Sequence, residues 1–119
     1  MGSKHEQIQE TVLQSWSVDK RGRLFNCRQG LATPLGGEFP IWFGPLTPKF
    51  KGHPDLYGWE IINGLPIFCF IEVKTLAYSK LSDGQKTFMS YAKSIGCRCY
   101  IAMESRVEGE LYFLKEFEG

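Results

Sequence analysis

The stretch from Asp55 to Lys74, DLYGWEIINGLPIFCFIEVK, decides how this chain folds. Two β-like runs, 55–62 and 65–74, flank Asn63-Gly64, the strongest two-residue signal for a type I′ hairpin. With those two residues as the turn, Ile62 faces Leu65, and counting back along the ladder sets Asp55 opposite Glu72. Directly opposed residues share a face, with Cβ atoms roughly 4.5–5.5 Å apart. The two-residue side-chain period adds Lys74 to the same face. The open end of the hairpin is therefore expected to carry two carboxylates and one ammonium group side by side.

Opposed like charges destabilise a strand pair, so the arrangement needs a reason. One is a solvated hairpin end in which Lys74 offsets one acid. The other is a divalent cation between the carboxylates, and the neighbouring residues favour it. One face carries Tyr57, Trp59, Phe68 and Phe70 with the acids. The other carries Leu56, Ile62, Ile67, Cys69 and Ile71, with Glu60 the single charged exception. Strands apolar on both faces belong inside a covered sheet, where unpaired carboxylates lose much of their ionised character. One inserted bulge residue would move Asp55 to the opposite face.

Pro54-Asp55, sixteen residues, then Glu72-Val73-Lys74 follows the PD-(D/E)xK signature of restriction-endonuclease-like nucleases. The blocks Gly52-His53-Pro54-Asp55-Leu56, Ile71-Glu72-Val73-Lys74 and Leu81-Ser82-x-x-Gln85-Lys86 together resemble the virus-type replication-repair nuclease (VRR-NUC) domain. Acid-x-lysine alone is common by chance; three blocks in order are more specific. The resemblance implies an α/β fold with a restriction-endonuclease-like αβββαβ core, a mixed central sheet flanked by helices. It implies Mg²⁺- or Mn²⁺-dependent hydrolysis of DNA phosphodiester bonds. Asp55, Glu72 and the Val73 carbonyl would hold the ion, and Lys74 would orient the attacking water and help its deprotonation. Small stand-alone members look like phage-type proteins that act as homodimers on branched DNA such as four-way junctions, in replication, recombination or repair. That would place the chain in the cytoplasm of a bacterial host. The alternative is a nuclease-like fold that binds nucleic acid or protein without cutting.

The 119 residues suit one domain. A hydrophobic content of 43% and an aromatic content of 14% exclude a disordered chain. No apolar run approaches the ~18 residues of a membrane helix, and no signal peptide opens the chain. The cysteines at 27, 69, 97 and 99 lack the spacing of a zinc knuckle or a redox pair, which points to reduced thiols in an intracellular setting. The net charge of +1 divides unevenly: from Glu104 onward the balance is −3, and the body before it carries +4. Such a modest excess neither demands nor excludes a polyanionic substrate.

Residues 4–17 read as an amphipathic helix with Ile8, Val12, Leu13 and Trp16 on one side. The resembling family opens this helix with Glu-x-x-Ile-Gln and brings its glutamate near the metal. Here Ile8-Gln9 matches, but His5 occupies the acid's position, and helix geometry favours Glu6 over Glu10 as the substitute. A strand follows over 24–30, where Arg28 is a candidate phosphate contact. The proline- and glycine-rich stretch 30–54 is a long loop of the functional kind. Within it Lys49, Lys51 and His53 flank Phe50 and suit a nucleic-acid strand; Lys80, beyond the hairpin, is a further candidate contact. Ser82-x-x-Gln85 is a capping box opening a helix to Gly96. Gln85 is thus either purely a cap or also a residue that steadies Lys74 or the attacking water. Strands are expected over 97–103 and 111–114, and Phe117 with Trp42 is expected to form an exposed apolar patch for a dimer.

Overall fold

The structure, a computed structural model, describes residues 2–27, 30–32, 41–43 and 54–119. In chain order its elements are α1 (Lys4–Val18), β1 (Gly22–Asn26), β2 (Gly30–Ala32), β3 (Ile41–Phe43), β4 (Leu56–Ile62), β5 (Leu65–Lys74), α2 (Asp83–Ser94), β6 (Arg98–Glu104) and β7 (Tyr112–Glu116). Five strands form one mixed sheet in the order β1-β4-β5-β6-β7, and β2 pairs with β3 in a separate ribbon. Every neighbouring pair is antiparallel except β5 and β6. A parallel pair cannot be closed by a tight turn, and α2 supplies the crossover.

The hairpin has the expected register. Asn63 and Gly64 take φ of 52° and 80°, as a type I′ turn requires. Ile62 then pairs with Leu65, and the ladder runs without a bulge to Leu56 opposite Ile71. Strand β1 is shorter than expected: it leaves the sheet at Asn26, and Gly30 pairs with Phe43 in the ribbon instead. Gly58 is needed where β1 and β4 meet, since a Cβ there would lie 2.0 Å from the Arg23 carbonyl oxygen.

A helix covers each face. Ser3 caps α1 by accepting from the Glu6 N–H at 3.2 Å. Ile8, Val12 and Trp16, one helical turn apart, then bury against Leu24, Leu56, Cys69, Ile71, Val73, Tyr100 and Ala102. The Trp16 indole N–H donates to the Trp59 carbonyl at 3.1 Å and ties the helix to β4. On the other face, Met89 and Ala92 of α2 pack with Cys99, Ile101 and Phe117. Phe117 is therefore core, 6% exposed, and not half of a surface patch. Its N–H donates to the Cys99 carbonyl at 2.9 Å, which continues the pairing with β6 one residue beyond β7 and sets the ring beneath α2.

Covering of the α2 face is partial. Trp59 and Phe68, paired across β4 and β5, are 37% and 51% exposed, and Phe25 beside them is 43% exposed. Helix α2 lies over β6 and the adjoining side of β5, where Phe88 meets Phe70 edge-on at 5.0 Å. Among the described residues, no helix is long and apolar enough to cross a membrane.

Candidate functional site

Two helix N-termini and the open end of the hairpin meet at one end of the sheet. They enclose a cavity of about 630 Å³ whose lining includes Asp55, Glu72, Val73, Lys74 and Gln85. Leu56↔Ile71 is the last ladder pair, so Asp55 and Glu72 are the next residues outward on adjacent strands. The Val73 N–H donates to Asp55 Oδ2 at 2.8 Å, which holds that carboxylate across the strand gap.

Glu72 is the anomaly of the site. It is 4% exposed, and its Oε2 is buried with no hydrogen-bond partner. Burial, reinforced by the adjoining Asp55 carboxylate, pushes its pKa up to about 10, and the charge of Lys74 only partly opposes this. Left alone, the pair holds a proton at neutral pH. A divalent cation is the other way to satisfy two crowded acids and an orphan oxygen, and hard cations take oxygen ligands of this kind. The donor set therefore fits Mg²⁺ or Mn²⁺, although no three His, Cys, Asp or Glu side chains among the described residues form a preassembled cage.

Both readings of Gln85 hold together. Ser82 accepts from the Gln85 N–H at 3.1 Å, and Gln85 Oε1 accepts from the Ser82 N–H at 2.9 Å, completing the capping box. The same Oε1 accepts from Lys74 Nζ at 2.9 Å. The cap thus fixes a rotamer, and that rotamer holds the lysine.

The first helix contributes differently from expectation. Glu6 is exposed beside Gly2 and does not line the cavity; Glu10 is exposed too. His5 lines the cavity instead, with Nε2 3.3 Å from Asp55 Oδ2. Its position three before Ile8 was the available signal. Glu104, also unanticipated, accepts from the Leu76 N–H at 3.0 Å and steadies the segment after Lys74. Tyr78, at the rim, is 79% exposed. Lys80 is exposed and outside the lining. Arg28, Lys49, Lys51 and His53 lie outside the described residues.

All four cysteines are free. Cys27 lies near the acids, but burial and the charges of Asp55 and Glu72 push its thiol up to about 11, which suppresses the reactive thiolate.

Comparison with known proteins finds no matching family model, no matching curated protein and no matching solved structure.

Proposed function

We propose that this chain is a metal-dependent endonuclease that hydrolyses DNA phosphodiester bonds, selective for branched DNA. The single observation that carries the reading is the buried, unpartnered oxygen of Glu72 beside Asp55, with Lys74 two residues further along the same strand. A structural core has no use for two acids packed together whose neighbouring lysine offsets them only in part, and such burial costs several kcal/mol. The element order supports the reading as well. With the β2–β3 ribbon as an insertion and β7 as an addition, α1-β1-β4-β5-α2-β6 follows the αβββαβ order of restriction-like nucleases.

Asp55, Glu72 and the Val73 carbonyl would hold Mg²⁺ or Mn²⁺. When bound, the ion supplies Lewis-acid polarisation of a phosphoryl oxygen and makes water acidic enough to act as nucleophile. The chain's own residues do the rest. Lys74, held by Gln85, presents a fixed positive charge to the attacking water and to the charge that grows on the phosphate. The start of α1, Ser3 to His5, lines the same cavity, and the partial positive charge of a helix N-terminus favours an anionic substrate there. A homodimer would set two such sites about a two-fold axis, as symmetric cleavage of a four-way junction needs.

The test is incubation of the protein with a labelled four-way junction, a flap and a linear duplex, each with Mg²⁺, Mn²⁺ or EDTA. Cleavage of the branched substrates that EDTA abolishes is the expected result. Metal-independent binding of all three without cleavage would replace the enzyme with a binding module.

A further inference from the structure

His5 reaches the cavity from the first turn of α1 and stands 3.3 Å from Asp55 Oδ2. One residue further along a helix turns a side chain by about 100°, and Glu6 accordingly faces solvent. Asp55 is therefore bordered on one side by an imidazole nitrogen and on the other by a carboxylate whose Oε2 is buried without a partner. The three side chains are not gathered around one point, and His5, whose side chain is 39% exposed, would join the ion through a change of rotamer.

We infer that His5 is a nitrogen ligand of the ion held by Asp55 and Glu72, and that it turns the site toward Mn²⁺ over Mg²⁺. This rests on the metal-dependent reading above and concerns which ion the site prefers. Mg²⁺ demands near-ideal octahedral oxygen coordination and gives up its waters reluctantly. Imidazole suits transition metals, which accept nitrogen readily. Imidazole also adds no negative charge to the site, and a hard ion held mainly by charge gains less from such a donor. The competing role for His5 is positional: its ring donates to Asp55 and orients it without touching the ion.

Calorimetric titration of the full chain with Mg²⁺ and with Mn²⁺, alongside pulsed EPR of the Mn²⁺-loaded protein, separates these roles. The unaltered protein is expected to bind Mn²⁺ at least about tenfold more tightly than Mg²⁺, with ¹⁴N modulation from a directly bound imidazole. His5→Gln, checked for an unchanged thermal midpoint before metal is added, should lose the modulation, and its Mn²⁺ preference should fall by about tenfold or more. His5→Glu should lack the modulation while strengthening Mg²⁺ uptake. Nitrogen modulation absent from the unaltered protein, or persisting in His5→Gln, overturns the assignment, as does an unchanged Mn²⁺-to-Mg²⁺ ratio. The parent reading fails by a different signature: no uptake of either ion, or undiminished uptake by Asp55→Asn.

Discussion

The hairpin buries two glutamates, one on each strand and on opposite faces of the sheet, and their surroundings differ sharply. Glu60 is 6% exposed and fully partnered: Arg21 and Tyr100 donate to its two oxygens, and Arg98 lies 3.8 Å away. The Arg21 guanidinium is itself stacked over Trp16, 4.2 Å from the ring centroid. Glu72, as deeply buried, faces another carboxylate and leaves one oxygen unpaired. Burial alone therefore does not mark a functional acid. Glu60 is an acid whose fold supplies its counter-charges; Glu72 has only the partial offset of Lys74, and in the proposed function the rest of its counter-charge arrives from solution.

The contrast breaks if mutation treats the two alike. The largest expected effect is at the unpaired acid. Glu72→Gln or Asp55→Asn should lower cleavage by about a thousandfold or more while junction binding persists, and Glu72→Gln should unfold at a temperature no lower than the parent. Parallel loss of binding and folding would return Glu72 to the structural class. Glu60→Gln should do the opposite. Removing the charge weakens the bonds from the half-exposed Arg21 and from Tyr100 and should cost about 2 kcal/mol in urea denaturation, with cleavage by the folded fraction retained. Lys74→Ala should slow turnover about a hundredfold with metal affinity, read by calorimetry, little changed. Undiminished turnover would remove that lysine from the chemistry.

The unpaired acid should also set how pH acts on the metal-free protein. Glu72 has a folded pKa raised from 4.5 to about 10, so the folded state keeps its proton where the unfolded state has released it. Stability from this group is complete below the unfolded value and is lost as pH rises through the folded one, at up to about 1.4 kcal/mol per pH unit. Thermal melts in EDTA should fall across that window, and Glu72→Gln should flatten the slope. An equal slope in the variant would assign it elsewhere. The smallest effect is at Gln85. Gln85→Ala breaks the capping box and should cost about 1 kcal/mol, and it should slow cleavage through the loss of the Lys74 contact. Stability loss with an unaltered rate would leave Gln85 a cap alone.

Much of the site is legible in the sequence because it is built from short-range geometry. Asn63-Gly64 fixes a turn, the turn fixes a register, and the register brings Asp55 to Glu72 with no help from the rest of the fold. The capping box at Ser82 is equally local, and it carries Gln85 to the hairpin's open end. The reading of Glu6 in place of His5 went astray over a single position. One residue is a large rotation on a helix, and only docking against β5 decides which side chain turns inward. Phe117 misled for a related reason: it continues the β7 ladder past Glu116, opposite Cys99, and only the seating of α2 on that face covers its ring.

By itself, then, the sequence determined the hairpin, its register and the cap of the second helix, since each depends on residues close together in the chain or joined by one tight turn. The tertiary structure alone decided that Glu60 meets Arg21 and Tyr100, about forty residues away on either side, and that Glu72 meets no such partner. It also decided that His5 enters the cavity and that Phe25, Trp59 and Phe68 stay uncovered. These outcomes depend on how the helices seat on a twisted sheet, a sum over many distant contacts that no short stretch of sequence encodes.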